Sequence, residues 1–300
     1  MTKQPPSNSS VHAGTASVNL GKVGSTVVLP SDFQSETTCN PLYKAAADNS
    51  PRGHSRTGAR AINPAEINVL IACEESQVEC KAFRALGFNA FSCDIQRCFG
   101  GHPEWHIHGD VSPYLKGCVQ FTTSDGLQHT VSHWHLIIAH PPCTYLSKVG
   151  SQHLVRHLHE LRRVSDLPDG WFIETHVPGS ITIVNSDRLE RMNQARQFFQ
   201  MCLDAKCDFL AVENPIPQAR ANLPKPTTYV EPWWYGHPWS KKTLLWLRNL
   251  PPLMPGCSET HFRCHCSSHR GKYRSRSFTG IANAMAQQWG SYILQQLTSA

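Results

Sequence analysis

No stretch of the chain is apolar for long enough to cross a membrane, and no apolar run marks its first residues. The usual signals of export and of membrane insertion are therefore missing. There is no internal repeat of solenoid or propeller length. Charge of one sign is only modestly in excess, with 28 Lys+Arg against 22 Asp+Glu and a net charge of +6, which permits a polyanionic partner without requiring one. Twelve cysteines would suggest disulfides in a secreted protein. Without an export signal they read as reduced thiols in a cytoplasmic one, open to packing, metal binding or catalysis. At 300 residues, 40% of them apolar, the chain can bury one full core with appendages.

Residues 1–63 are rich in Ser, Thr, Pro, Asn and Gly, and their basic residues Arg52, His54, Arg56 and Arg60 have no apolar face beside them. They read as a disordered leader, with a DNA-tracking arm as the alternative. Order begins with the apolar run Asn68 to Cys73, followed by helical spacing from Glu75 to Leu86 and by Gly87. Phe88 to Ile95, His135 to His140, Phe209 to Val212 and Thr243 to Leu247 have strand character. A helix begins near Asp187, capped by Ser186 or Asp187. Strands alternating with helices predict an α/β fold, a mainly parallel sheet with helices on both faces and ligands at the carboxyl ends of its strands. Residues 64–300 form this domain. Within it, 148–186 reads as an insertion whose basic, histidine-rich part (His153, Arg156, His157, His159, Arg162, Arg163) is expected to be a solvated helix face.

Two strand ends carry the chemistry. Pro141-Pro142-Cys143 closes one apolar strand and Glu213-Asn214-Pro215 closes a later one. A cysteine on a proline-stiffened loop is presented rather than packed, and a carboxylate at a neighbouring strand end can face the same cleft. At these residues the sequence resembles the DNA cytosine-carbon-5 methyltransferases, closest to short phage or prophage members, over roughly residues 67–297. The resemblance implies a Rossmann-like fold that uses S-adenosylmethionine. Cytosine carbon-5 is too weak a nucleophile to accept a methyl group until a thiolate adds to carbon-6, and a proton on ring nitrogen N3 promotes that addition. In these terms Cys143 is the nucleophile, Glu213 supplies or shares the proton, and Pro142 and Asn214 shape the two loops.

The resemblance also implies a donor pocket. Asp94 would take the ribose hydroxyls, with Ile95 beside it, and Asp110 would lie near the adenine amino group. Pro141 belongs to the same pocket. Ile281-Ala282-Asn283-Ala284 stands where a Gly-Asn-Ala motif returns to it, which assigns Asn283 and Ala284. In the first loop, Ala72-Cys73-Glu74-Glu75-Ser76 replaces a glycine-rich turn. A carboxylate there, assigned to Glu74, would meet the donor's ammonium and repel a phosphate. Gly236 to Thr243 stands where the family carries two arginines that hold the flipped base, with Lys241 at the first and Thr243 at the second. Neither side chain can copy a guanidinium fork.

Between those last two motifs the family keeps its target-recognition region, here only about 250–277. Cys257, His261, Cys264, Cys266 and His269 suffice for a tetrahedral structural zinc, with an ordinary Cys/His-rich loop as the alternative. Arg274 and Arg276 stand in the densest basic and aromatic cluster of the chain, suited to phosphate contacts on double-stranded DNA. The expected protein is a monomer that meets no membrane and acts on a cytosine flipped out of the duplex.

Overall fold

The computed structural model describes residues 62–161, 163–176, 180–238, 240–256 and 277–299. The expected leader, but for Ile62 and Asn63, lies outside the described residues. So do Cys257, His261, Cys264, Cys266, Arg274 and Arg276. Among the described residues, no helix is long and apolar enough to cross a membrane.

In chain order the elements are β1 (Asn68–Ala72), α1 (Val78–Ala85), β2 (Asn89–Asp94), β3 (His106–His108), α2 (Ser112–Leu115), β4 (Gln120–Thr122), β5 (Gln128–Thr130) and β6 (Leu136–Ala139). Then come β7 (Val155–His157), β8 (Trp171–His176), β9 (Ser180–Asn185), α3 (Ser186–Leu203), β10 (Phe209–Pro215), β11 (Thr228–Val230) and β12 (Thr243–Arg248). Last are α4 (Thr279–Ala284), a π-helical turn at Met285–Trp289, and α5 (Gly290–Ser299).

Seven strands form one sheet in the order β11-β12-β10-β6-β1-β2-β3. Five of them, from β10 to β3, run parallel, and β12 enters antiparallel between β10 and β11. The order reverses at β1 and β6, where a doubly wound sheet opens a crevice at its carboxyl edge. Strands β1 and β6 are buried along their whole length, as strands covered on both faces must be. Val69, Ile71, Leu136, Ile138 and Ala211 pack on one side with α1, α4 and α5, and Leu70, Ile137, Leu210 and Val212 pack on the other with α2 and α3. The α/β class and its two helical layers are as expected from the sequence.

Three local expectations change. The first helix starts at Val78 rather than Glu75, because Cys73 and Gln77 take left-handed backbone, at φ of 62° and 57°, and Glu74 accepts from the amides of Glu79 and Cys80. The cap of α3 is Asn185, whose side chain accepts from the Arg188 amide. Among its described residues the insertion has no α-helix, only short 3-10 turns at Lys148–His153, Leu158–Glu160 and Val164–Asp166; β7, β9 and β8 form a three-stranded antiparallel sheet, because Ile183 and Val184 supply buried side chains that a helix face of histidine and arginine lacks.

Gly290 opens α5 against the edge of Phe88, where an added Cβ would lie 2.7 Å from the ring. Phe88 is buried and held edge-on by Phe83. Gly290→Ala should therefore destabilise: overpacking costs roughly 1–3 kcal/mol, more than the ~1 kcal/mol that alanine adds to a helix. Urea unfolding is the measurement, and Phe88→Leu in the alanine background should recover part of the loss.

Candidate active site

Alternation along the strands builds the site. Leu136 and Ile138 of β6 face the α1 side, and the next residue in that alternation is His140. On β10, Phe209 and Ala211 face the same side and the next is Glu213. The two side chains meet there, His140 Nδ1 lying 3.3 Å from Glu213 Oε2. On its other edge, His140 Nε2 lies 3.6 Å from Oε1 of Glu79, in the first turn of α1. β10 runs further than Val212, where the sequence reading ended its apolar run. Pairing with β12 carries β10 through Pro215, so Glu213 overhangs the end of β6 on rigid backbone.

The cysteine loop is fastened to the chain that follows β10. Pro141 and Pro142 lack the N–H groups that would extend the β6 ladder, so the backbone turns away at once. Leu146 and Ser147 then donate their amides to the Cys143 carbonyl at 3.1 and 2.9 Å. Lys148 N donates to Ile216 O and Gln218 N to Leu146 O, each at 2.8 Å. The Gln218 side chain donates to the Tyr145 carbonyl at 2.6 Å. These bonds fix Cys143 relative to Glu213, and both line a cleft of about 390 Å³ with His140, Lys241, Glu74, Glu75, Ser76 and Asp94.

A second cavity of about 290 Å³ shares Cys73, Asp94, Gln96 and Pro142 with the first and adds Ile95, Asp110, Val111 and Phe198. One Asp94 oxygen accepts from the Gln96 amide at 2.7 Å. One Asp110 oxygen accepts from both the amide and the hydroxyl of Ser112. The other oxygen of each has no hydrogen-bond partner among the described residues. Ile95 is 75% exposed, an apolar face at the lip of this cavity.

Charges in the cleft are strongly coupled. Burial alone would raise the Glu213 carboxyl, but the hydrogen bond and charge of His140, helped by Lys241, pull it down to about 2. Burial alone would hold His140 neutral, but the charge of Glu79 and the bond to Glu213 push it up to about 9 against Lys241. At neutral pH the pair is imidazolium and carboxylate. Burial pushes the Cys143 thiol up, opposed by Lys241 and reinforced by Glu213. The Glu74 carboxyl is raised well above the usual range, by burial first and then by the charge of Glu79.

The structure thus brings Cys143, Glu213, Pro141, Pro142, Cys73, Glu74, Asp94, Ile95, Asp110 and Lys241 to the two cavities. Buried Ala72 ends β1 beneath them, and Asn214, wholly buried, donates to the Pro215 carbonyl at 2.6 Å and shapes the strand end. Asn283 and Ala284 line neither cavity, because α4 turns Ile281, Ala282 and Ala284 into the core and leaves Asn283 exposed. Sequence reasoning missed His140, Gln96, Val111 and Phe198. Period-two continuation of β6 was the available signal for His140.

One further group of ligand-type side chains, His133, His135 and Asp208, lies outside the cleft. His135 Nδ1 accepts from the Asn68 amide at 3.0 Å, so its neutral ring carries the proton on Nε2, a donor rather than a ligand. His133 Nε2 pairs with Asp208 at 2.9 Å. This is a hydrogen-bonded surface network.

No family model matches the chain, and no curated protein matches it. Among solved structures the chain is similar to an E. coli prophage-encoded protein suggested to be a DNA modification methyltransferase, at 14% identity and a TM-score of 0.32. The match covers 60% of this chain and 46% of that one, so the chain spans about half its length.

Because the His140 ring is raised in the folded state, from near 6.5 to about 9, it stabilises fully below pH 6.5 and the stabilisation is lost as pH rises through 9. The urea midpoint should fall over that interval. In Glu213→Gln the fall should shrink and shift toward lower pH, since one of the two anions is gone. Superimposable pH dependence in the two proteins would show that the pair does not form.

Proposed function

We propose that the chain methylates carbon-5 of cytosine in DNA, with S-adenosylmethionine as donor and Cys143 as a covalent nucleophile. The observation that carries this reading is the fixed juxtaposition of Cys143, Glu213 and Lys241 in one cleft that runs, past Asp94, into a second cavity. The donor supplies an electrophilic methyl group on a sulfonium centre. The lining suits it: the oxygens of Asp94 and Asp110 that no described residue engages can take ribose and adenine donors, Ile95 offers an apolar face to the purine, and acidic side chains favour a cation over a phosphate. Glu74 is engaged by the amides of α1, so the donor's ammonium falls to Glu75 in the same loop.

Each remaining residue has a task that follows from its place. Lys241 opposes the burial that raises the Cys143 thiol and so favours the attacking thiolate. It also stands where the resemblance puts an arginine on the flipped base. The anchored 143–148 loop holds sulfur at a set distance from the Glu213 carboxylate, and that carboxylate is placed to bind the N3 edge of the ring. The target base must leave the duplex to reach this depth, at an unpairing cost of a few kcal/mol.

Cys143→Ser should lower transfer by several orders of magnitude with donor binding retained, because a hydroxyl is a much weaker nucleophile at neutral pH. Retention of more than about a tenth of wild-type turnover would remove Cys143 from the mechanism. Asp94→Ala should weaken donor binding by the ~1.5–3 kcal/mol of a charge-assisted hydrogen bond, read by calorimetry. DNA carrying 5-fluorocytosine should trap a denaturant-resistant adduct at Cys143 that depends on the donor, since fluorine blocks the proton loss that expels the thiolate. A methyl group found on the exocyclic nitrogen, with no adduct, would sink the carbon-5 reading. Product only on RNA or free nucleotide would move the same chemistry to another target.

A further inference from the structure

The cleft holds a charged side chain for which the proposed chemistry has so far found no use. His140 lines the cleft with Cys143 and Glu213, with Glu213 from β10 on one edge at 3.3 Å and Glu79 from α1 on the other at 3.6 Å. Lys241, from the segment before β12, also acts on it, and Glu74 lies beyond Glu79, its oxygens taken by the Glu79 and Cys80 amides. Glu79 and Glu74 are both almost fully buried. Among the described residues, Glu79 Oε2 and His140 Nε2 are buried without a hydrogen-bond partner, an arrangement that costs stability and that a purely structural ion pair would be expected to close.

We propose that His140 is the proton store of the reaction, a positioning residue that refills Glu213 with the proton it passes to ring nitrogen N3 of the target cytosine, and that Glu79 holds the imidazolium in place. The inference rests on the cytosine carbon-5 reading above. Its physical basis is that the Glu213 carboxylate, paired with a cation in a buried site, has no proton of its own to give, while the nearest one sits on His140 Nδ1, on the line to Glu213 Oε2.

The step balances. The Cys143 thiolate pair forms the S–C6 bond, the C5=C6 π pair becomes C4=C5, and the N3=C4 π pair takes a proton from Glu213. Glu213 first takes that proton from His140, its O–H bond forming as Nδ1–H breaks and breaking in turn as N3 is protonated, which leaves the ring neutral and Glu213 again a carboxylate. The thiolate's negative charge and the imidazolium's positive charge disappear together, so the buried site gains no net charge on addition. After methyl transfer the N3 proton returns by the same path.

The test is the pH profile of single-turnover methyl transfer by the full chain. With the store intact, activity should hold until His140 loses its proton, near pH 9. His140→Asn keeps a hydrogen-bond donor toward Glu213 but cannot titrate. It should lower the rate at pH 7.5 by ~10²–10⁴-fold, the usual contribution of a positioned acid, and move the alkaline limb down by several pH units, toward the range of a lone carboxyl. Glu79→Gln should move the limb in the same direction by less. A uniform loss with the alkaline limb unmoved would overturn the proposal.

Nitrogen-15 spectra of the histidine rings, in the protein without donor or DNA, give a second readout that does not depend on turnover. His140 should remain imidazolium beyond pH 8 and become neutral at lower pH in Glu79→Gln and in Glu213→Gln. A ring already neutral at pH 7 in the wild type would overturn the proposal as well. Failure of the carbon-5 reading shows differently, as wild-type protein that gives no 5-methylcytosine at any pH.

Discussion

A charge buried where three elements converge is the constraint on which the site depends. The imidazolium of His140 lies at the carboxyl end of β6, and burial would neutralise it without the carboxylates of Glu79 and Glu213. Removing one partner from such a group typically costs about 3–5 kcal/mol. That penalty ties the first turn of α1, the end of β6 and the end of β10 into one arrangement. It also accounts for Glu74. Beside Glu79, a second buried carboxyl accepts the first amides of α1, and burial first, then the charge of Glu79, raises it well above the usual range.

The same arrangement explains why the cleft divides as it does. Asp94 closes β2 and lines both cavities, with one oxygen fixed by the Gln96 amide. Groups that would grip a nucleoside lie on the β2 and β3 side, and groups that would act on a base lie on the β6 and β10 side. The crevice between β1 and β6, where the strand order reverses, joins them. A methyl donor laid across that crevice would have its ends held by different strands.

Much of this was legible in the sequence because the signals were local. β1, β2 and β6 declared themselves as short apolar runs, and Cys143, Glu213 and Asp94 as polar residues where such runs stop, whereas Asp110 came from the resemblance alone. What stayed hidden depends on partners distant in sequence. The extension of β10 through Pro215 needs β12, thirty residues on. The antiparallel sheet of 155–185 needs three segments to find one another, and taken singly its basic histidines look like a solvated helix. Asn283 stands apart from the two cavities because a motif fixes a position along the chain and not the side of the helix that position occupies. His140 passed unnoticed because a histidine beside two prolines carries no signal until its strand's alternation is projected onto Glu213.

That alternation limits how the protein can vary over time. Phe209, Ala211 and Glu213 share one face of β10, and Leu210, Val212 and Asn214 the other. Gaining or losing one residue within the strand would exchange the two sets, turning a carboxylate into the hydrophobic layer and an amide toward the cysteine. Length changes are thus confined to the connections between strands, as in the three-stranded sheet that stands between β6 and α3. Lineages descended from this chain can be expected to diverge by lengthening and shortening their loops, while the spacing from Phe209 to Glu213 stays constant.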